Sequence, residues 1–213
     1  MRWKRLKVTL ISPPTPSVET LSIVGIKVPT LGLAYLASSL EHAGHEVEII
    51  DAAAMELSLS QIKSMLERGC PELIGVTATT PTSYNALKII KAAKEASSNV
   101  FTILGGPHAS FLPLKTLEEC PALDAVCIGE GEETIVELAD TIDKGRSLSD
   151  VKGIAYRSKE GGTIRNRSRP LIKDLDSIPY PAWHLLPMDK YTILGKKSTI
   201  CHICLLYTSD AAD

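Results

Sequence analysis

The chain has 213 residues, 23 Lys and Arg against 25 Asp and Glu, a formal charge of −2 and an apolar share of 44%. That length supports one ample core with an appendage, and so even a charge argues against a nucleic-acid or membrane-surface protein, both of which usually carry a basic patch. No apolar run reaches the roughly 20 residues that a membrane-spanning helix needs.

Residues 8–12 are rich in β-formers and end at Pro13-Pro14, which predicts a first strand. The basic residues before it lead into this strand, not into the apolar helix of a signal peptide. A loop follows to about Pro29, carrying Pro, Ser, Thr and Gly. Loops of that length inside a compact domain are usually functional or disordered. Leu33, Leu36, Ala37 and Leu40 then recur at helical spacing, and Gly44 supplies a stop. Residues 47–51 predict a second strand. Leu59, Ile62, Met65 and Leu66 mark a second helix that ends near Gly69. Residues 73–79 are almost continuously apolar or β-branched, as a buried parallel strand should be. Residues 83–96 predict a third helix, with Ala86, Leu87, Ile90 and Ala93 on one face. Residues 100–104 predict a fourth strand, 114–118 a short helix, 125–128 a fifth strand and 133–142 a further helix.

This alternation predicts an α/β fold: a flavodoxin-like (Rossmann-like) doubly wound parallel five-stranded sheet in the order 2-1-3-4-5. Its crossovers are expected to be right-handed. After Gly145 the texture changes. Residues 151–157 and 163–167 flank Glu160-Gly161-Gly162 and predict a β-hairpin. Residues 174–183 are punctuated by Pro179 and Pro181 and read as an extended linker. The expected organisation is an α/β domain over 1–145 and a hairpin with a proline-rich linker over 146–190.

Two glycine-rich turns each close a short apolar run: Gly105-Gly106-Pro107-His108 and Gly129-Glu130-Gly131-Glu132. Strands of a parallel sheet that end this way put bare backbone at the carboxyl edge, where such sheets bind ligands. Glycine allows close approach and positive φ. Two such turns on consecutive strands suggest a wide ligand seat. A dinucleotide site would need Gly-x-Gly-x-x-Gly directly after the first strand, where Ser12-Pro13-Pro14-Thr15-Pro16 stands instead. A phosphoacceptor receiver would need an Asp at the end of the third strand, where Thr77 to Thr79 stand. A flavin site has fold analogy alone behind it.

The five cysteines are odd in number and mostly scattered, which does not read as a disulfide framework. Together with the absence of a signal peptide this predicts a cytoplasmic protein. Cys201-His202-Ile203-Cys204 has metal-ligand spacing but no further ligand nearby in sequence. Residues 204–213 fit nothing upstream and resemble a translated sequencing adapter, so they are set aside from the fold.

In order, Pro13-Pro14, Pro29-Thr30-Leu31-Gly32-Leu33-Ala34-Tyr35-Leu36-Ala37, Ala43-Gly44-His45-Glu46-Val47, Asp51, Gly105-Gly106-Pro107-His108, Gly129 to Thr134 and Asp174 to Ala182 form a set. That set resembles the N-terminal cobalamin-binding domain of cobalamin-dependent radical S-adenosylmethionine enzymes. The resemblance covers the chain to about Trp183. It implies cobalamin as cofactor. It also implies a C-terminal radical domain as partner, holding a 4Fe-4S cluster and S-adenosylmethionine, of which 191–203 would be the start. The Cys-x-x-x-Cys-x-x-Cys motif of that domain is not in this sequence, so no catalytic residue is expected in this stretch. Parents in the family are most often methyltransferases, and others close rings or rearrange substrates. A degenerate domain that binds no cobalamin is the alternative.

The resemblance implies cofactor contacts at Pro13, Pro14, Pro29, Thr30, Gly32, Thr77, Thr79, Thr80, Gly105, Gly106, Pro107, His108, Gly129, Glu130, Gly131 and Glu132. Plainer readings stand beside these. Gly105 and Gly106 suit a tight turn, and His108 suits a cap. Glu130 and Glu132 suit a helix N-terminus, where the dipole favours carboxylates. Thr77 and Thr79 are β-formers, and Asp51 suits a turn cap. Many other cobalamin proteins carry Asp-x-His-x-x-Gly here, with the His as lower cobalt ligand. Aligned on Gly32, the Asp position is Lys27 and the His position is Pro29. The resemblance therefore implies base-off cobalamin without a histidine ligand, and no metal-ligating residue.

Overall fold

The computed structural model describes residues 5–15, 25–158 and 160–197. Strands β1 (Lys7–Ser12), β2 (Glu46–Asp51), β3 (Leu73–Thr77), β4 (Phe101–Gly105) and β5 (Ala125–Cys127) run parallel in the order β2-β1-β3-β4-β5. The intervening helices are α1 (Leu31–His42), α2 (Leu59–Gly69), α3 (Ser83–Ala96), α4 (Pro107–Phe111) and α5 (Pro113–Glu119), and α6 (Glu132–Asp143) follows β5. The chain leaves β1 toward one edge and returns past it to build β3, so the strand order reverses between β1 and β3. That reversal is the switch point where open α/β sheets bind ligands.

Helices cover both faces, which is why Leu73, Ile74, Gly75 and Val76 of β3 are all buried. On one face Leu10, Leu73 and Ile103 pack against Leu33 and Leu40 of α1 and Ile135 and Leu138 of α6. On the other, Ile11, Ile74 and Leu104 pack against Ile62 of α2, Ile90 of α3 and Leu117 of α5. Local signals set the helix ends. Ser58 and Gln61 form a reciprocal capping box at the start of α2. The short helix expected over 114–118 is α5, and a further short helix, α4, precedes it; Pro107 and Pro113 open the two.

The hairpin expected as an appendage belongs to the sheet. Strand β6 (Ile154–Arg157) pairs antiparallel with β5, and β7 (Thr163–Arg165) pairs with β6, so the sheet has seven strands. The reason is the edge that β5 would otherwise leave open, a row of unpaired backbone groups. Ala125, Val126 and Cys127 find partners in Tyr156, Ala155 and Ile154.

From Arg169 the chain crosses the outer side of α6 and α1. The Arg169 guanidinium bonds Glu133, Glu137 and the Thr134 hydroxyl. The Ala182 amide donates to the Ala34 carbonyl at 3.0 Å. Tyr191, 1% exposed, then enters the core beside β2 and α1. Thr192 pairs antiparallel with Lys27, and β8 (Thr192–Ile193) turns into β9 (Lys196–Lys197). Residues 16–24 of the long loop, the Cys201 to Cys204 pair and the 204–213 tail lie outside the described residues. Among the described residues no helix is long and apolar enough to cross a membrane.

Candidate functional site

The turns after the strands, with the starts of α1 and α6, enclose a cleft of about 500 Å³ at the carboxyl edge. Leu10, Gly75 and Ile103 form its floor. They are direct partners across β1, β3 and β4, so a single row of the sheet supplies them. Leu33 and Leu36 of α1 and Ile135 of α6 form the apolar walls, and Leu171 stands at the edge, 72% exposed. An apolar pocket with a few polar groups at its rim is the usual form of a small-molecule site.

The structure brings Thr30, Gly32, Thr77, Gly105, Gly106, Gly129, Glu130, Gly131 and Glu132 together around this cleft. The other expected residues stand elsewhere. Pro13 and Pro29 are buried beside the strand ends, and the Pro14 carbonyl accepts from the Asn85 amide at 2.9 Å. Thr79 and Thr80 are exposed and order the turn into α3. The Thr79 amide donates to the Thr82 hydroxyl at 3.0 Å, and the Ser83 hydroxyl donates to the Thr80 carbonyl at 2.9 Å. Pro107 begins α4, and the His108 amide donates to the Ala78 carbonyl at 3.2 Å. No histidine lines the cleft among the described residues.

Two glycines here differ in kind. Gly106 has φ of +92°, and a Cβ on it would lie 2.6 Å from the Ala78 carbonyl oxygen. Its backbone and its close approach to β3 both demand glycine. Gly32 has ordinary backbone angles, and a Cβ on it would meet nothing within 4 Å. It sits in the first turn of α1, where glycine costs about 1 kcal/mol of helix stability relative to Ala. Neither packing nor conformation asks for it. The bare surface it leaves opens onto the cleft, and this is what a bulky ligand lying against α1 requires.

The polar groups at the rim are held from outside. The Glu130 carboxylate accepts the Ile172 amide at 2.7 Å, and Glu132 begins α6, in the favourable half of its dipole. The Cys127 thiol faces the cleft, and burial, aided by the Glu132 charge, pushes its pKa up to about 12. It is a neutral wall group. Among the described residues no group of three His, Cys, Asp or Glu is placed to hold a metal ion.

Behind Thr30 lies a buried node. The Thr30 hydroxyl donates to Asp51 Oδ2 at 3.0 Å, the Tyr191 hydroxyl donates to the same oxygen at 2.9 Å, and the Ala54 amide donates to Oδ1 at 3.0 Å. Burial and the Asp51 carboxylate push the Tyr191 phenol well above its usual range, so it remains a donor. Asp51 caps the turn after β2, as its position at a strand end suggested, and does more than that. Sequence reasoning did not find Tyr191 or the apolar cleft residues. Gly75 did leave a signal, since an isolated glycine inside a strand pattern marks a close approach. Leu10, Leu33, Leu36, Ile103 and Ile135 carry the same pattern as any core residue.

Residues 21–139 match the family of the B12 binding domain. The chain belongs to the B12-binding domain family. This B12-binding domain is 47% identical over 193 residues to an uncharacterized methyltransferase of Pyrococcus horikoshii, covering 90% of this chain and 41% of that protein. It is 36% identical to the anaerobic magnesium-protoporphyrin IX monomethyl ester cyclase of Rubrivivax gelatinosus, covering 76% of this chain and 30% of the cyclase. The chain thus spans less than half of the length of either relative. Its fold is shared with the cobalamin-dependent S-adenosylmethionine radical enzyme OxsB, solved with aqua-cobalamin and S-adenosylmethionine. The TM-score is 0.69 at 24% identity, covering 84% of this chain and 24% of OxsB. TsrM of Kitasatospora setae, solved with cobalamin and a [4Fe-4S] cluster, superposes with a TM-score of 0.65 at 21% identity, covering 78% of this chain and 32% of TsrM.

Proposed function

We propose that this chain is the cobalamin-holding module of a larger cytoplasmic radical S-adenosylmethionine enzyme, a methyltransferase, and that its cofactor is bound base-off without a histidine beneath the cobalt. The observation that carries the reading is the apolar cleft at the switch point, opened by Gly32 where neither packing nor backbone requires a glycine. The dry floor of Leu10, Gly75 and Ile103 suits an apolar part of the cofactor, and Thr30 and Thr77 at the rim suit its amide-bearing edge. Bound cobalamin supplies a cobalt centre that accepts and donates alkyl groups. This chain's own residues bind and orient it. Gly105 and Gly106 keep the edge low, the apolar walls exclude water, and Glu130 and Glu132 bound the far side.

The relatives support the parent activity by their names, a methyltransferase of Pyrococcus horikoshii among them. In this reading the 4Fe-4S cluster and S-adenosylmethionine belong to a C-terminal radical domain for which 191–203 is the lead-in, with 1–145 as the cofactor module and 146–190 as its hairpin and linker. Lys27 and Pro29 at the positions of the Asp and His of other cobalamin proteins support the base-off state. Lys27 is engaged with Glu56 at 2.5 Å, and Pro29 offers no donor. With Lys27 and Pro29 at these positions, this segment of the chain would supply no imidazole to tune a bound metal.

The test is the electron paramagnetic resonance spectrum of the full chain loaded with cob(II)alamin. A base-off spectrum without nitrogen hyperfine splitting is expected. Nitrogen splitting would contradict the ligand assignment, and a folded chain that retains no corrin would identify a degenerate module.

A further inference from the structure

The start of α1 is not held by its own cap. Thr30 occupies the N-cap position, yet its hydroxyl bonds no amide of the helix. It donates instead to Asp51 at the end of β2. The same Asp51 oxygen receives the hydroxyl of Tyr191, distant in sequence and fully buried. The residues next to Tyr191 hold the other end of the segment before α1. The Lys27 amide and carbonyl pair with Thr192 at 2.9 and 3.0 Å, and the Thr192 hydroxyl donates to the Gly25 carbonyl at 2.9 Å. Gly25 and Lys27 are thus tied to residues 192–195, with Lys27 and Thr192 forming a single antiparallel bridge. Thr30 and Gly32, which line the cleft, are the next residues along.

We propose that Tyr191 is a positioning residue for the cleft: through the shared Asp51 carboxylate it sets Thr30, and with Thr30 the start of α1 and the Gly32 wall. The segment around 191–192 is then a latch that couples whatever follows it in the chain to the shape of the ligand seat. The coupling has a physical basis. A buried carboxylate that loses one of its donors leaves charge poorly compensated in an apolar setting, which is more costly than losing a surface contact. The surviving partners must shift to compensate, and Thr30 is the partner on the rim. The cofactor half of this inference rests on the cobalamin reading above; the mechanical half does not.

The experiment is amide hydrogen exchange on the full chain without ligand, comparing wild type, Tyr191→Phe and Thr30→Val. Tyr191→Phe keeps the ring and its packing and removes the hydroxyl alone. Exchange at Lys27, Leu33 and Ala34 is expected to quicken about tenfold in both variants, the loss expected for one hydrogen bond to a charged group. Amides of α2, α3 and α5 should hold within about twofold. The double variant should add little to either single one, because both cut the same chain of contacts. Unchanged exchange at these amides would overturn the latch, and so would a uniform rise across the molecule, which marks simple destabilisation. A parallel titration with hydroxocobalamin should show weaker binding by Tyr191→Phe than by wild type. Equal affinity would overturn the coupling to the seat. Wild type that binds no corrin would overturn the cobalamin reading, while the exchange result would still decide the latch.

Discussion

The Tyr191 hydroxyl donates to Asp51 at 2.9 Å, and both side chains are 1% exposed. This bond ties a segment near the end of the described chain to the end of the second strand. Thr30 and the Ala54 amide complete the node. Asp51→Ala would strand buried donors from three parts of the chain, so a loss of about 2–4 kcal/mol in unfolding free energy is expected. Urea denaturation of the full chain measures it. A loss below about 0.5 kcal/mol, the usual size for a surface substitution, would mean that the node is replaceable by water.

Gly106 and Gly32 predict opposite outcomes for the same substitution. Gly106→Ala forces a side chain into a φ of +92° against the Ala78 backbone, and strain alone should cost about 1–3 kcal/mol. Gly32→Ala adds a methyl in open space and improves the helix, so the ligand-free chain should gain up to about 1 kcal/mol. The same methyl narrows the cleft, so cobalamin affinity should fall. Thermal melts of the two variants, with and without hydroxocobalamin, separate the effects. A Gly32→Ala chain that binds as tightly as wild type would remove the argument that glycine is there for the ligand.

His45 sets a pH dependence. Its ring is buried and neither nitrogen has a hydrogen-bond partner. Burial lowers its pKa from the ordinary 6.5, opposed by the charges of Asp140 and Asp143 and assisted by Lys144. The unfolded chain therefore takes up a proton more readily than the folded one. Stability should be undiminished above pH 6.5 and fall as pH drops below 6.5 toward the lowered value. The slope for one group is at most about 1.4 kcal/mol per pH unit. Unfolding free energies between about pH 7.5 and 5 should decline in wild type and less in His45→Leu. Parallel curves would mean that another group carries the dependence.

Cys127 and Cys70 should differ in reactivity. The Cys127 thiol is pushed up to about 12 and stays protonated at neutral pH, whereas Cys70 is exposed. The thiolate is the reactive form. Peptide mapping after brief iodoacetamide treatment at about pH 8 should find Cys70 labelled and Cys127 intact. Rapid labelling of Cys127 in the folded chain would show that the cleft wall is open to solvent and charge.

Much of the fold was legible because a buried parallel sheet writes itself plainly. Residues 73–77 are apolar or β-branched in unbroken succession, and Leu59, Ile62, Met65 and Leu66 recur at helical spacing. The rim was legible for a related reason: glycines at strand ends, such as Gly105 and Gly129, are visible in one dimension. The floor was not. Leu10 and Ile103 become a pocket only because Gly75 lies between them in the sheet, and that register is a tertiary fact. The hairpin of β6 and β7 was seen, but its place on the sheet follows from the short β5 edge needing partners. Tyr191 was invisible, since nothing near it in sequence announces the Asp51 that receives its hydroxyl.

The most direct measurement is a hydroxocobalamin titration of the purified full chain, followed by desalting and a visible spectrum of what is retained. One corrin per chain with a base-off spectrum is the predicted result. A folded chain that releases all its corrin would contradict the assignment of the cleft as a cobalamin seat.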